Sequence, residues 1–122
     1  MAQLTLTMVQ ANYIIEYGDE KNSHEICEIL NMVIRRLRYT PGCMQSDLWR
    51  NDDQHAVMIS EIWKTKADFN RHVNSSLFKR TLSALELAPE KPVVRISECE
   101  NVRGIDLLEE VMTNFNISFL RE

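Results

Sequence analysis

Glycine is scarce in this chain: of 122 residues only Gly18, Gly42 and Gly104 lack a side chain. A glycine-rich phosphate cradle of the GxGxxG or GxxxxGK[ST] kind is thereby excluded, because backbone N–H groups can wrap a phosphate only where side chains stand clear. GxSxG and HExxH are also missing. The three cysteines, Cys27, Cys43 and Cys99, are far apart, odd in number and without CxxC spacing. That pattern predicts reduced thiols in a reducing compartment, the cytoplasm. His24, His55 and His72 show no metal-ligand spacing, so neither a metal nor another cofactor is expected. No basic segment followed by an apolar one opens the chain, and no apolar run approaches membrane-spanning length. Neither a signal peptide nor a membrane anchor is expected.

Positive charge is also in short supply, with a net charge of −4. Backbone phosphates recruit clustered Lys and Arg, so no nucleic-acid partner is expected. The densest basic runs, Arg35-Arg36-Leu37-Arg38 and Lys79-Arg80, are assigned to the ends of predicted helices, where cations complement the helix dipole.

What remains is an ordinary globular composition, 44% hydrophobic and 26% charged, in a length that suits one domain. Residues 4–16 are rich in Leu, Thr, Val, Ile and Tyr and read as a strand, with an irregularity near Gln10–Asn12. Ile26, Leu30, Val33, Ile34 and Leu37 then form one apolar stripe of a helix. Asn22 with Glu25 has the form of a capping box at its start, and Pro41 forces its end. Met44–Arg50 and His55–Lys64 read as a hairpin turning at Asn51-Asp52-Asp53. Thr65 and Asp68 start a second helix that runs to about Val73, and another stretch runs from about Leu77 to Leu87. Val93–Val102 is the last strand. Ile105, Leu108, Met112 and Phe115 make a further helical stripe after Gly104.

The order strand, helix, strand, strand, helix, strand is the ferredoxin-like βαββαβ pattern of α+β proteins: a four-stranded antiparallel sheet with helices on one face. Residues 1–103 make this unit, and 104–122 form a C-terminal helical extension of it. Both faces of the second hairpin strand carry apolar residues: Val57, Ile59, Glu61 and Trp63 on one, Ala56, Met58, Ser60 and Ile62 on the other. An uncovered apolar sheet face of that size predicts a homodimer.

Three groups of residues could carry chemistry. Glu61 shares a strand face with Trp63 and Ile59, so its carboxyl needs either a raised pKa or a Lys or Arg partner. Trp63 is core or a pocket wall. His72 lies one turn after Asp68 and three residues after Phe69. Facing outward it is a helix-end histidine; facing inward it is the side chain able to exchange a proton near neutral pH. Gln10 and Asn12, with Tyr13, interrupt the first strand. A buried Asn there needs a hydrogen-bond partner, whereas an edge or bulge needs none.

Pro41-Gly42-Cys43, Glu61-Ile62-Trp63-Lys64, Phe69-x-x-His72 and Ser75-Ser76-Leu77-Phe78, in this order and spacing, resemble the antibiotic biosynthesis monooxygenase family over roughly residues 4–103. The resemblance implies a dimeric α/β barrel, in which two sheets pack face to face, and a pocket between sheet and helices of each subunit. It implies cofactor-independent oxidation of a small aromatic or quinol-type substrate by molecular oxygen. His72 would handle the proton and Asn12 would position substrate or oxygen, while Trp63, Glu61 and Phe78 would line the pocket. Haem-degrading enzymes of this fold have a tryptophan where His72 stands, and their iron-ligating histidine falls at Leu82, which cannot ligate iron; haem degradation is disfavoured. A non-catalytic dimeric module that binds a small ligand is the alternative, and an isomerase or decarboxylase-like proton-transfer enzyme a more remote one.

Overall fold

The structure is a computed structural model that describes residues 6–101. It contains β1 (Leu6–Glu16), α1 (Glu20–Leu37), β2 (Cys43–Asn51), β3 (Ala56–Trp63), α2 (Lys66–Val73), α3 (Ser76–Glu86) and β4 (Val93–Asn101). The strands form one antiparallel sheet in the order β2-β3-β1-β4. This is the ferredoxin-like arrangement that the element order predicts, with two helices in the second crossover. The stripe Ile105, Leu108, Met112, Phe115 lies outside the described residues.

Period-two alternation decides which side of the sheet is covered. In β1, Val9, Ala11, Tyr13 and Ile15 are buried, while Met8, Asn12 and Ile14 are only partly so. In β3, Val57, Ile59, Glu61 and Trp63 are buried in the same way. The register couples the phases, since Tyr13 stands opposite Ile59 and Ala11 opposite Glu61. The helices press on this face through Ile26, Leu30, Val33 and Leu37 of α1, Phe69 of α2 and Ala84 of α3. Each large aliphatic side chain taken fully out of water contributes about 1.5–3 kcal/mol.

The helix starts are set locally. Asp19 caps α1 by accepting from the Asn22 backbone N–H at 2.9 Å. The cap therefore precedes the expected Asn22–Glu25 box by one turn: Gly18, at φ +79, lets the chain turn directly out of β1, and Asp19 is the first side chain that can accept. Thr65 caps α2 and Ser75 caps α3. Arg35 and Arg36 do occupy the last turn of α1. Lys79 and Arg80 do not end a helix; they lie on the exposed face within α3, which is set by solvent and not by the dipole.

The expected irregularity of the first strand is also elsewhere. Pairing of β1 with both neighbours runs without interruption through Gln10 and Asn12. The register shift falls in β2 between Cys43 and Gln45. Here Gly42 adopts φ +87, and its carbonyl accepts from the Lys64 N–H at 2.8 Å. A Cβ at this position would collide with the Asp68 side chain. The Pro41-Gly42-Cys43 turn thus seats the first turn of α2 directly against the start of β2.

Candidate functional site

Four elements converge on one buried polar cluster. Strand β3 supplies Glu61 and Trp63, two residues apart and therefore on one face. Helix α2, held by its Thr65 cap and by Gly42, delivers His72 to the same place. Helix α3 adds Phe78 and β1 adds Tyr13. Glu61 and Trp63 are fully buried, and His72 and Tyr13 are 2% exposed.

The Trp63 indole N–H donates to Glu61 Oε1 at 3.0 Å. His72 Nε2 stands 3.7 Å from the same oxygen. The imidazole stacks on Trp63 with ring centroids 4.6 Å apart and planes 25° off parallel. Phe78 meets it edge-on at 5.4 Å, and Tyr13 lies 6.2 Å beyond Phe78. Both ring nitrogens of His72, Glu61 Oε2 and the Tyr13 hydroxyl have no hydrogen-bond partner among the described residues. Buried polar groups are ordinarily paired, so this concentration of unpaired ones makes the cluster the candidate site.

Burial sets the protonation. It pushes Glu61 up to about 7, and the Trp63 hydrogen bond only partly opposes the rise. It pushes His72 down to about 4. Tyr13 is raised by burial and by Glu61. Between about pH 4 and 7 the pair therefore keeps its proton on the Glu61 carboxyl, beside a neutral imidazole. A Lys or Arg partner for Glu61, one of the two sequence expectations, is absent among the described residues; the indole takes that place because it shares the strand face.

A cleft of about 180 Å³, smaller than the ~300–1,000 Å³ of drug-sized ligand sites, lies beside the cluster and is lined by Thr40, Pro41, Asp68, Arg71, Leu77 and His72, whose side chain stays fully buried. Its mouth is charged: Asp68 accepts from Thr65 and Arg71, both of which hold its carboxyl below the usual range. Among the described residues, no cluster of three His, Cys, Asp or Glu side chains could hold a metal ion. No described helix is long and apolar enough to cross a membrane.

The structure brings together His72, Glu61, Trp63 and Phe78 and turns His72 inward. Asn12 is not with them. It stands opposite Ser60 in β3, one residue out of phase with Tyr13, so it faces the other side of the sheet. The expectation that Asn12 and His72 flank one substrate within a subunit is corrected by this parity. Tyr13 was noted only as a neighbour of Asn12, yet it is the β1 residue at the cluster; the alternation Val9, Ala11, Tyr13, Ile15 is the signal that finds it.

No curated protein matches this chain. Solved structures do, at low identity. A candidate antibiotic biosynthesis monooxygenase from Caulobacter crescentus superposes with a TM-score of 0.67 at 14% identity, over 77% of this chain and 91% of that one. A protein from Nitrosomonas europaea of the same description gives 0.64 at 17% identity, over 81% and 95%. SnoaB, a cofactor-independent oxygenase from Streptomyces nogalater, gives 0.60 at 13% identity, over 75% and 90%. These likenesses establish a shared fold. The family profile described as antibiotic biosynthesis monooxygenase matches residues 16–84, which hold β3 and α2 and thus Glu61, Trp63 and His72. The chain belongs to the antibiotic biosynthesis monooxygenase family.

Proposed function

We propose that this protein is a cofactor-independent monooxygenase acting on a small hydroxylated aromatic or quinol. The observation that carries this reading is the Glu61–His72 pair at 3.7 Å, buried within the aromatic walls Trp63 and Phe78. Family membership and the structural likeness to an oxygenase described as cofactor-independent support it.

The chemistry balances without a cofactor. Neutral His72 accepts the substrate hydroxyl proton, and above about pH 7, where Glu61 is ionised, its carboxylate stabilises the resulting imidazolium. The electron-rich anion passes one electron to dioxygen, and the radical pair combines to a peroxide on the ring. Breaking the O–O bond leaves one oxygen atom as a ring carbonyl and releases the other, with two hydrogens of the substrate, as water. The protein supplies a dry aromatic cavity and a proton acceptor.

The reading includes a homodimer. The face opposite the site carries Met8, Ile14, Met58 and Ile62, all partly exposed, with Trp49 57% and Val93 44% exposed. A second copy laid sheet to sheet buries these side chains and Asn12 with them, whose unpaired Oδ1 belongs to that interface.

Oxygen uptake with a panel of quinols and hydroxylated aromatics tests the activity. Turnover that falls at least tenfold in His72→Ala is expected; no turnover across the panel, or turnover unchanged in His72→Ala, contradicts it. One observation favours a second reading, a ligand-binding module without turnover: at about 4, the His72 imidazole is a weak base. Thermal stabilisation by the same compounds without product formation would select that reading.

A further inference from the structure

A polar row crosses the open face of the sheet. Asp47 of β2 stands opposite Ser60 of β3, Ser60 opposite Asn12 of β1, and Asn12 opposite Arg95 of β4. Each is out of phase with Glu61 and Tyr13, so all four face away from the helices. The next row toward the β2–β3 turn, Trp49, Met58, Ile14 and Val93, is wholly apolar. Asp47 and Arg95 lie on the two edge strands, about 14 Å apart at three strand spacings, and carry opposite charges. Glu16, at the rim, is the other charge that the four strands place on this face among the described residues. Arg95 is exposed and has no acidic partner among the described residues. Asp47 accepts from the Gln45 side chain at 2.7 Å. In the middle of the row, Asn12 Oδ1 is buried without a hydrogen-bond partner.

This pattern is self-complementary under one symmetry. A two-fold axis that runs along the strands, between β3 and β1, lays β2 on the partner's β4 and β3 on the partner's β1. Such a rotation leaves the level along the strands unchanged, so each row meets its own reverse. We propose that two copies pair about this axis, with Asp47 bound to the partner's Arg95 and the Ser60 hydroxyl donating to the partner's Asn12, each contact made twice. The arrangement rests on the sheet-to-sheet dimer proposed above and is independent of the reaction.

Stacked sheets lie about 10 Å apart with strands within about 30° of parallel, a gap that an arginine and an aspartate can bridge together. The apolar row agrees: Trp49 covers the partner's Val93, and Met58 covers the partner's Ile14. The competing geometry has its axis across the strands and lays β2 on the partner's β2. Centred on the polar row, it sets Asp47 against the partner's Asp47 and Arg95 against the partner's Arg95, and like charges across an interface are strongly unfavourable. Centred on any other row, it leaves both charges without an opposite one. The two ion pairs lie at the rim of the interface, where charges fix register and reject wrong pairings more than they add affinity.

Sedimentation equilibrium of the full chain and of two charge-reversed variants tests the register. Asp47→Arg brings two cations together at each rim, and Arg95→Asp brings two anions together. Each variant alone is expected to raise the dimer dissociation constant at least about tenfold at low ionic strength, with a smaller penalty at high ionic strength. An equimolar mixture of the two is expected to associate as tightly as the wild type, because positions 47 and 95 then carry opposite charges across both rims. That recovery also shows that both variants fold. Either variant dimerising as tightly as the wild type, or a mixture no tighter than its components, would overturn the register and leave the sheet-to-sheet dimer standing. A wild-type chain that stays single would overturn both, and no outcome depends on turnover.

Discussion

Glu61 Oε1 accepts the Trp63 indole N–H at 3.0 Å and lies 3.7 Å from His72 Nε2, with both ionisable side chains wholly removed from solvent. The relationship has a thermodynamic signature. Glu61 rises from 4.5 to about 7 on folding, so its contribution to stability is full below 4.5 and is lost as pH climbs through about 7. His72 falls from 6.5 to about 4, so its contribution is full above 6.5 and is lost as pH drops through about 4. Between 4.5 and 6.5 the folded and unfolded pairs each hold one proton, on Glu61 when folded and on His72 when unfolded, and the two slopes cancel.

Single substitutions should unmask each slope. His72→Phe is expected to make stability fall with rising pH between about 4.5 and 7, and Glu61→Gln to make it rise between about 4 and 6.5. Each slope should approach ~1.4 kcal/mol per pH unit, the value for one proton. Urea denaturation at closely spaced pH values measures both. Two variants with flat profiles would contradict the buried pair.

The indole N–H holds Glu61 below where burial alone would set it. Trp63→Phe keeps most of the apolar surface and removes the donor. Stability at pH 8 is expected to drop by about 1–3 kcal/mol, the cost of leaving a buried acceptor unpaired. The loss should shrink toward pH 5, where the carboxyl is protonated. A loss equal at both pH values would show that packing alone is responsible.

Gly42 is required by its surroundings as well as by its φ of +87. Gly42→Ala places a methyl group against Asp68 and strains the backbone, for an expected loss of at least ~2 kcal/mol. Because Asp68 leads the helix that carries His72, the exposure of the imidazole should also increase, which NMR titration of His72 would register as a pKa moving up toward 6.5. An unchanged His72 titration would uncouple the turn from the site.

The sheet-to-sheet dimer predicts a molar mass of two chains by light scattering at micromolar concentration. Met58→Arg, at the middle of the open face, is expected to yield single chains with α1 still folded, because it places an unpaired charge in a buried interface. A single-chain mass for the wild type would contradict the dimer.

Much of this was legible in the residues themselves. Strand alternation is fixed at two, so Glu61 and Trp63 could be put on one face without coordinates, and the stripe Ile26, Leu30, Val33, Ile34, Leu37 could belong only to a helix. The same parity separates Asn12 from Tyr13, and the resemblance to a family overrode it. His72 was harder: α2 has eight residues, so Phe69 and His72 are too few to define an inner stripe, and the direction of the imidazole depends on how the Gly42 turn seats the helix. The proton on Glu61 arises from the meeting of three elements distant in sequence. The cap at Asp19 and the mid-helix place of Lys79 and Arg80 were missed because local composition does not locate a helix end when tertiary contacts set it.

If dioxygen reacts at the Glu61–His72 pair, turnover of a hydroxylated aromatic under ¹⁸O₂, with an argon control, will show it. One labelled oxygen is expected in the product carbonyl and one in water, with no turnover under argon and loss of labelled product in His72→Ala. Product that carries no label, or turnover that persists under argon, would contradict it.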